Sequence, residues 1–319
     1  ILKIKKTEYK CINLNLPQNT KYKTIKQIIW QNSVLYIKTL IQKPDICIFP
    51  AFIMPYLKRR STKYITVIHD LCSFRTKEMP GLFAKINRFC IKLAIKQADT
   101  IVTVSETVKQ ELINKFKVNP ENIKVIYNSV SEEFINFKDN PEIFEKYNIQ
   151  KQKYILSVAT LNKRKNIPEL IKAFETISDK YPNIKLVLVG GMGNEAKDKL
   201  KNKKNIIFTG YVSDEEIPVL YKHALIYIFP SLYEGFGIPL IEAQYSHIPV
   251  LCSDIPVFRE ITGNIAEYCE PNADSIALKT EYLINNPKQR ENLIIKGTEN
   301  VKRFCIENIS KQLINAIEN

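Results

Sequence analysis

The sequence has little of what disulfide-rich, zinc-binding or membrane-spanning proteins need. Its seven cysteines are scattered among 319 residues without a C-x-x-C pair, which excludes a disulfide framework and a cysteine zinc site and indicates a reducing compartment. No signal peptide and no apolar run of roughly 18 residues appear, so no spanning helix is expected. Charged residues at 25% and hydrophobic residues at 45% exclude disorder, collagen and coiled coil as the main class. We therefore expect a cytoplasmic protein, at most peripheral on the inner face of the plasma membrane.

The excess positive charge lies almost entirely in the first half of the chain. Residues 1–150 carry 25 Lys and Arg against 13 Asp and Glu, whereas residues 151–319 carry 22 against 20, within a net charge of +14. Such an excess indicates an anionic partner, which from charge alone is nucleic acid, an acidic membrane or a phosphorylated substrate. Because no recognition motif or set of stacking aromatics accompanies the charge, we expect no nucleic-acid partner.

Short apolar, β-branched runs alternate with longer amphipathic segments in both halves. This alternation predicts an α/β fold of two Rossmann-like, doubly wound domains facing across a cleft, each with a parallel sheet covered on both faces. The predicted domains are 1–136 and 154–319, joined by a linker at 137–153, with the last helix packing back on the first domain. The predicted strands are 46–49, 64–68, 100–104, 123–127, 154–159, 184–189, 205–208, 225–229 and 248–252. The predicted helices are 25–42, 83–97, 105–117, 167–181, 213–223, 238–246, 273–285, 287–304 and 307–318.

The strongest motif is Glu-Gly-Phe-Gly-Ile-Pro-Leu-Ile-Glu, which runs from Glu234 to Glu242 after a predicted strand. Its proline suits the first turn of a helix, and its glycines allow close approach of the backbone to a ligand. Free amides of Gly237, Ile238 and Leu240 would bind an anion such as a diphosphate, with a carboxylate on either side. A tight strand-to-helix turn with a capping carboxylate is the alternative of equal weight.

A basic loop, Asn-Lys-Arg-Lys-Asn, follows another predicted buried strand. Asn166 and Glu169 form a predicted capping box for the next helix. The fork of Arg164 and the point charge of Lys165 beside that helix start fit a phosphate clamp. A solvated basic turn is the alternative.

His69 is the one histidine of three that follows a predicted strand directly, and Asp70 comes next to it. A histidine there can bind a substrate while a carboxylate orients it, and a histidine satisfied by the backbone is the alternative. We interpret His223 and His247 as structural. Residues 191–196 nominally match G-x-G-x-x-A, but no acidic residue follows the next strand to hold a ribose, so we expect no NAD and no other cofactor.

The predicted helix 83–97 divides into a basic and an apolar side. Against anionic headgroups the basic side would bind a membrane surface, whereas an ordinary surface helix explains the apolar side but not the uneven charge. The basic side is Lys85, Arg88, Lys92 and Lys96, and the apolar side is Ile86, Phe89, Cys90, Leu93 and Ala94.

The stretch from Phe229 to Ala243 resembles the E-x7-E signature of retaining nucleotide-sugar glycosyltransferases of family four, with the GT-B fold, of the bacterial surface-polysaccharide type. The resemblance covers roughly residues 44–310. Other segments resemble the family's motifs in the same order, namely 157–166 its phosphate loop, 188–190 a strand end, 209–212 and 220–221 the segment near the base, and 68–71 and 103–106 acceptor-domain motifs.

The resemblance implies a nucleotide-sugar donor, retained configuration through an oxocarbenium-like state, and a leaving group stabilised by cations with no metal. Glu242 would bind the ribose hydroxyls, and Glu234 would face the donor sugar. Arg164 and Lys165 would neutralise the diphosphate, and His69 would contact the sugar. Binding to base, sugar and phosphate is also implied for Gly210, Tyr211, Val212, Gly235, Phe236, Gly237, Ile238 and Leu240.

Two features depart from the family pattern. The family opens with a strand and a glycine-rich loop, whereas residues 1–45 contain no glycine and the chain begins at Ile1, so we expect the first domain to be truncated. His247 stands where a glycine is typical, so the backbone of that loop is expected to differ.

The sequence therefore predicts a hexosyltransferase that uses GDP-mannose or a UDP- or dTDP-sugar. Its expected acceptor is a lipid-linked glycan, in the synthesis of a surface polysaccharide such as lipopolysaccharide. The alternatives are a transferase with a soluble sugar-phosphate acceptor and a non-catalytic nucleotide- or sugar-binding module.

Overall fold

The computed structural model describes residues 29–76, 81–160, 162–191, 203 and 205–318, which divide into two compact units. The first unit extends to Ile126 and resumes at Glu307, and the second is Tyr127–Ile306. Compared with the predicted domain limits, this division assigns the segment 137–153 to the second unit and the last helix to the first.

The described strands of the first unit form one parallel sheet in the order β1-β2-β3-β4. The strands are β1 (Ile46–Phe49), β2 (Lys63–Ile68), β3 (Thr100–Thr103) and β4 (Ile123–Val125). The helices are α1 (Tyr36–Gln42, after a π-helical turn Gln31–Leu35), α2 (Cys72–Arg75), α3 (Gly81–Gln97) and α4 (Glu106–Phe116).

The described strands of the second unit form a parallel sheet in the order β10-β9-β8-β5-β6-β7. The strands are β5 (Tyr154–Val158), β6 (Lys185–Val189), β7 (Ile206–Gly210), β8 (Ile226–Phe229), β9 (Val250–Ser253) and β10 (Glu267–Cys269). The helices are α5 (Glu132–Ile135), α6 (Glu142–Lys146), α7 (Ile167–Ser178), α8 (Ile217–Lys222), α9 (Ile238–Tyr245), α10 (Pro256–Thr262), α11 (Ala273–Asn285) and α12 (Pro287–Val301), and the chain ends in α13 (Ile306–Glu318).

The order of this second sheet reverses between β5 and β8. From β5 the chain winds outward through β6 and β7, and it then returns to place β8 on the other side of β5. Such a switch point leaves a crevice at the carboxyl ends of the two central strands, where ligands of open α/β sheets bind.

Both faces of the second sheet are covered, as a run of apolar strand residues requires. On one face, α7 and α11 bury strand side chains such as Leu186, Ile226 and Ile228, all 1% exposed or less. Burying one such side chain contributes about 2 kcal/mol, so this layer holds the loops at the strand ends in place.

The final helix, α13, packs on the sheet of the first unit. Ala316 is buried against Ile65, Val102 and Ile126, and the Lys63 ammonium donates a hydrogen bond to the Ile317 carbonyl at 3.1 Å. These contacts account for the assignment of the residues after Ile306 to the first unit.

The predicted α/β fold with parallel sheets is confirmed, and each predicted strand corresponds to an observed one. β10 and the helices α2, α5 and α10 are additional elements that were not predicted from the sequence, and α6 lies in the predicted linker. β10 has three residues, two of them partly exposed, so it shows neither an apolar run nor a clear alternation.

Phe89 is not on the core side of α3, and this prediction is wrong. Its side chain is 62% exposed, whereas Cys90, Ile91 and Ala94 are buried. Consecutive helical residues differ by about 100° in direction, so a buried stripe centred between Ile91 and Ala94 turns Phe89 towards solvent, beside the lysines.

Among the residues that the structure describes, no helix has the length and apolar character needed to cross a membrane. The cysteines in this part of the chain, at positions 47, 72, 90, 252, 269 and 305, are not joined in disulfides.

Candidate active site

The basic loop after β5 begins with a short 3₁₀ turn, Lys163–Lys165. Asn162 caps this turn, because its side-chain oxygen accepts a hydrogen bond from the Lys165 amide at 3.1 Å. The predicted capping box of Asn166 and Glu169 is wrong. Asn166 has a left-handed backbone (φ 58°) instead of the extended one that an N-cap needs, and its side chain donates to the Pro271 carbonyl at 2.8 Å.

The two predicted cations and the first glutamate of the motif form one largely enclosed charge cluster of Arg164, Lys165 and Glu234. Arg164 Nη1 lies 2.6 Å from one Glu234 carboxylate oxygen, and Lys165 Nζ lies 2.6 Å from the other. The exposed fractions of the three side chains are 15%, 13% and 10%. Arg164 also donates to the Tyr233 carbonyl at 2.8 Å, and the Leu232 amide donates to the Arg164 carbonyl at 2.8 Å, so the two loops are joined.

The position of the charge cluster follows from the strand order. Arg164 and Lys165 follow β5, Glu234 follows β8, and these strands are neighbours at the switch point of the sheet. The cluster therefore lies where the topology places a ligand crevice. Two hydrogen-bonding cations with a single carboxylate between them can bind an anion such as a phosphate.

The turn before α9 requires glycine at position 237. Gly237 has φ 106°, and a Cβ there would lie 3.1 Å from the Phe258 ring and 3.2 Å from the Leu240 side chain. The predicted proline falls in the first turn of α9. The prediction of a free Leu240 amide is wrong, because this amide donates to the Gly237 carbonyl at 2.9 Å within the turn.

The side chain of Phe236 belongs to the core, so a ligand role there is limited to its backbone. It is 4% exposed and its ring packs edge-on against Phe304, with the centroids 5.7 Å apart. Gly235 is buried, and Ile238 is 40% exposed at the start of α9. The ligand contacts proposed for this turn stay a prediction.

Glu242, the second glutamate of the motif, lies within α9. Burial raises the pKa of its carboxyl from 4.5 to about 7; the neighbouring Tyr221 hydroxyl opposes this rise, and the charge of Glu133 adds to it. A carboxylate that is half protonated near neutral pH can accept hydrogen bonds from paired hydroxyls or donate one itself.

We expect Glu242→Gln to be clearly more stable than the wild type at pH 8 and to differ from it by less than about 1 kcal/mol at pH 5. The folded protein keeps the Glu242 proton up to about pH 7, whereas the unfolded chain releases it near 4.5, so stability falls as pH rises through this window. Glutamine removes this loss and should raise the free energy of unfolding at pH 8 by about 3 kcal/mol, at about 1.4 kcal/mol for each pH unit between the two pKa values. Urea unfolding at both pH values measures the difference.

The matched control is Glu216→Gln, whose carboxylate pairs with Lys146 near the surface at 2.6 Å. It should show no gain at pH 8. A Glu242→Gln variant without a gain there, or with the same gain at pH 5, contradicts the expected titration.

The segment implied to meet the base lies at the carboxyl ends of β6 and β7. Gly210 has φ 73°, and its carbonyl accepts a hydrogen bond from the Gly190 amide at 2.9 Å. Tyr211 is 81% exposed and Val212 is buried. Their role in binding a base stays a prediction.

His69 lies at the carboxyl end of β2 in the first unit, with an exposed side chain. Its Nε2 is 2.8 Å from the Pro50 carbonyl, and since a carbonyl only accepts, Nε2 carries the proton. The Asp70 carboxylate accepts from the Cys72 amide at 2.8 Å and so serves the backbone. These contacts agree with the alternative of a histidine satisfied by the backbone, and contact with a donor sugar stays a prediction.

The other two histidines have protein partners, as their structural interpretation predicts. His223 lies 3.1 Å from Asp139, and His247 Nδ1 lies 2.8 Å from the Thr298 hydroxyl. His247 has φ 57°, the left-handed conformation that favours glycine, which explains why a glycine is typical there.

Two further sequence predictions concern a metal ion and a dinucleotide cofactor. In the described part of the chain, no three His, Cys, Asp or Glu side chains lie together as a metal site would need. Metal independence itself stays a prediction. Most of the G-x-G-x-x-A segment, from 192 to 196, lies outside the described residues.

Sequence reasoning missed a buried tyrosine pair beside Glu242. Tyr221 and Tyr227 are fully buried and stacked, with ring centroids 5.0 Å apart. Among the described residues their hydroxyls have no partner at hydrogen-bond geometry, although the Tyr221 hydroxyl is near enough to stabilise the Glu242 carboxylate. The spacing of the two tyrosines, one in α8 and one in β8, contains no local signal of this contact.

Comparison with known protein families identifies the chain. A profile described as Glycosyl transferases group 1 matches residues 139–300, about half of the chain, and one described as Glycosyltransferase Family 4 matches residues 7–134. The chain belongs to the family-four glycosyltransferases. The resemblance inferred from the E-x7-E motif is thereby confirmed.

Two relatives of this glycosyltransferase are named as O-antigen chain mannosyltransferases. It is 35% identical over 234 residues to the O-antigen chain mannosyltransferase RfbU of Salmonella typhimurium, over 71% of this chain and 61% of that protein. It is 29% identical over 275 residues to the O-antigen chain mannosyltransferase B of Escherichia coli, over 82% and 71% of the two chains. The match thus spans about three fifths of the first of these relatives.

A solved structure shows the same fold. The sucrose-phosphate synthase of Thermosynechococcus elongatus superposes with a TM-score of 0.76 at 18% identity, over 95% of this chain and 80% of that one. At this identity the likeness shows the GT-B fold alone.

Proposed function

We propose that this glycosyltransferase transfers mannose from GDP-mannose to a growing cell-surface polysaccharide. The names of the two mannosyltransferase relatives support the sugar. The main support for the proposal is the charge cluster, which brings two cations together at the switch point of the sheet. The helix that contains Glu242, α9, starts shortly after Glu234 at the same end of the sheet. UDP- and dTDP-hexoses are the alternative donors.

The proposed chemistry is electrostatic. When the bond from the sugar to the diphosphate breaks, negative charge develops on the phosphate oxygens, and Arg164 and Lys165 would stabilise it by charge-assisted hydrogen bonds. Glu242 would accept hydrogen bonds from the ribose hydroxyls, while Glu234 and His69 would contact the sugar that is transferred. The configuration is retained through an oxocarbenium-like state, and the cations act without a metal, so activity should persist in EDTA.

The proposed acceptor is a lipid-linked glycan at an anionic membrane surface. In support, α3 exposes Lys85, Lys92 and Lys96 together with Leu82 and Phe89, which are 68% and 62% exposed. An exposed helix face that combines lysines with large apolar side chains is typical of binding in the plane of a membrane interface.

Removing the charges of this α3 face should weaken binding to anionic vesicles. We expect the triple variant Lys85→Gln, Lys92→Gln, Lys96→Gln to lose about 100-fold in partition, since each lysine contributes about 1 kcal/mol near an anionic surface. Sedimentation with phosphatidylglycerol-containing vesicles measures it. The double variant Leu82→Ser, Phe89→Ser should also bind less.

The control variant Leu278→Ser, Ile295→Ser removes two equally exposed apolar side chains, 65% and 64%, from the second unit. It should bind vesicles like the wild type. Equal binding by all these variants, or none by the wild type, rejects the membrane part of the proposal.

A nucleotide-sugar panel tests the proposed activity. We expect the strongest binding and slow hydrolysis with GDP-mannose among GDP-mannose, UDP-glucose, UDP-GlcNAc, UDP-galactose and dTDP-rhamnose. Binding and hydrolysis of another donor would change only the sugar in the proposal and leave the transferase activity in place. No response of the folded protein to any donor would favour the non-catalytic module, and turnover without vesicle binding would favour a soluble sugar-phosphate acceptor.

A further inference from the structure

The cations assigned to the diphosphate already have a carboxylate partner. Each oxygen of Glu234 lies 2.6 Å from one cation, Arg164 or Lys165, and all three side chains are at most 15% exposed. Two cations enclosed to this degree need a counter-charge, because an unpaired charge away from water is costly. In this state Glu234 supplies that charge.

We infer that Glu234 is an internal counter-ion that the donor diphosphate displaces from Arg164 and Lys165, and that returns to them when the nucleoside diphosphate leaves. This inference rests on the proposed function. It differs from a role in which Glu234 only holds the cations in place, because a displaced carboxylate competes with the ligand for the same N–H donors.

The cations have other contacts that can hold them when the carboxylate leaves. Arg164 is bound through its side chain to the Tyr233 carbonyl and through its own carbonyl to the Leu232 amide, both at 2.8 Å. The Lys165 amide is held by Asn162, and its ammonium lies 4.8 Å from the centre of the Phe229 ring. Both cations therefore keep neutral contacts that do not depend on Glu234.

Exchange between carboxylate and phosphate leaves the number of charge-assisted bonds similar before and after binding. The protein then binds donor and product less tightly than it would if the two cations had no counter-ion. This weaker binding allows the diphosphate product to leave. Removing the carboxylate charge should therefore tighten the binding of a diphosphate while it lowers turnover.

The experiment compares inorganic pyrophosphate binding to the wild type and to Glu234→Gln by calorimetry. Pyrophosphate needs neither the correct base nor the correct sugar, so the result is independent of the donor panel. We expect about 10-fold tighter binding to the variant, which corresponds to about 1.4 kcal/mol. GDP should bind more tightly to the variant as well, and product inhibition should increase.

The control Glu216→Gln removes a carboxylate that also lies 2.6 Å from a lysine, Lys146, outside the charge cluster. It should change pyrophosphate affinity less than two-fold, which separates local competition from the change in overall charge. If Glu234→Gln does not fold, as judged by its thermal transition, Glu234→Ala replaces it.

Unchanged or weaker pyrophosphate binding by the folded variant overturns the inference and leaves Glu234 a positioning residue. Absence of pyrophosphate binding to both proteins overturns it too. If the donor panel fails but the variant still binds pyrophosphate more tightly, the exchange stands and the proposed transferase activity does not.

Discussion

Replacing Lys165 with alanine should lower kcat/KM for the donor by about 100- to 1,000-fold, the usual effect of removing one donor to charge that develops in the transition state. The Lys165 side chain is 13% exposed, and its ammonium lies 2.6 Å from a Glu234 carboxylate oxygen and 4.8 Å from the centre of the Phe229 ring. Its loss removes one of the two cations of the charge cluster, to which we assign the leaving diphosphate. Initial rates with the donor identified by the panel measure the effect.

The stability of the Lys165→Ala variant distinguishes a catalytic role of Lys165 from a role in balancing the charge of Glu234. Without Lys165, Glu234 keeps Arg164 as a partner, so we expect the free energy of unfolding to fall by only about 1–2 kcal/mol, less than when a buried charge loses its sole partner. The double variant Lys165→Ala, Glu234→Gln should lose further stability, because Arg164 is then left without its carboxylate partner, and it should not regain activity.

Lys172→Ala is the matched control, because Lys172 is 63% exposed on α7 and pairs there with Glu169. It should leave both turnover and stability nearly unchanged. Normal turnover by Lys165→Ala would reject the role proposed for the cation at the leaving diphosphate.

Replacing Gly190 with alanine should lower the free energy of unfolding by about 3 kcal/mol. Gly190 has φ 138°, and a Cβ there would lie 2.2 Å from the Ala159 carbonyl oxygen. Both a strained backbone and a contact with rigid main chain result. The residue follows β6, and the contact is with the start of the loop that leads to Arg164, so the damage should extend to the charge cluster.

The neighbouring Gly191→Ala is a close control for this change. A Cβ at Gly191 would meet no atom within 4 Å outside its chain neighbours, and its φ is not in the left-handed region. Urea unfolding should show a lower midpoint with an unchanged slope for Gly190→Ala and no shift for Gly191→Ala. Equal midpoints for the two variants would contradict the steric argument.

The secondary structure was predictable where the chain alone creates the signal. Short β-branched runs between turn residues located β1 to β9, and β1 was predicted with its observed limits, Ile46–Phe49. The periodicity of α3 predicted a helix, but it placed Phe89 on the apolar side of that helix instead of the exposed side. Which side of a helix is buried, and how widely, depends on the elements that pack against it.

The residues of the charge cluster could be found from the sequence, but their arrangement could not. Arg164 and Lys165 were candidates because they follow a strand, and Glu234 because it precedes a glycine turn and a helix. The pairing of Lys165 with Glu234 joins residues 69 positions apart, and no local pattern reports such a contact. From the sequence alone the two cations are therefore assigned to a ligand, and their pairing with the Glu234 carboxylate is not foreseen.

By itself the sequence determined the family, the alternation of strands and helices, the uneven charge and the identity of the residues at the strand ends. Each of these depends on neighbours within a few turns of chain or on residue chemistry. The tertiary structure alone decided that β8 returns to lie beside β5, that Glu234 therefore meets both cations, and that burial raises the pKa of Glu242 to about 7. Ion pairing and desolvation depend on distances between segments far apart in the chain, and only the completed fold sets those distances.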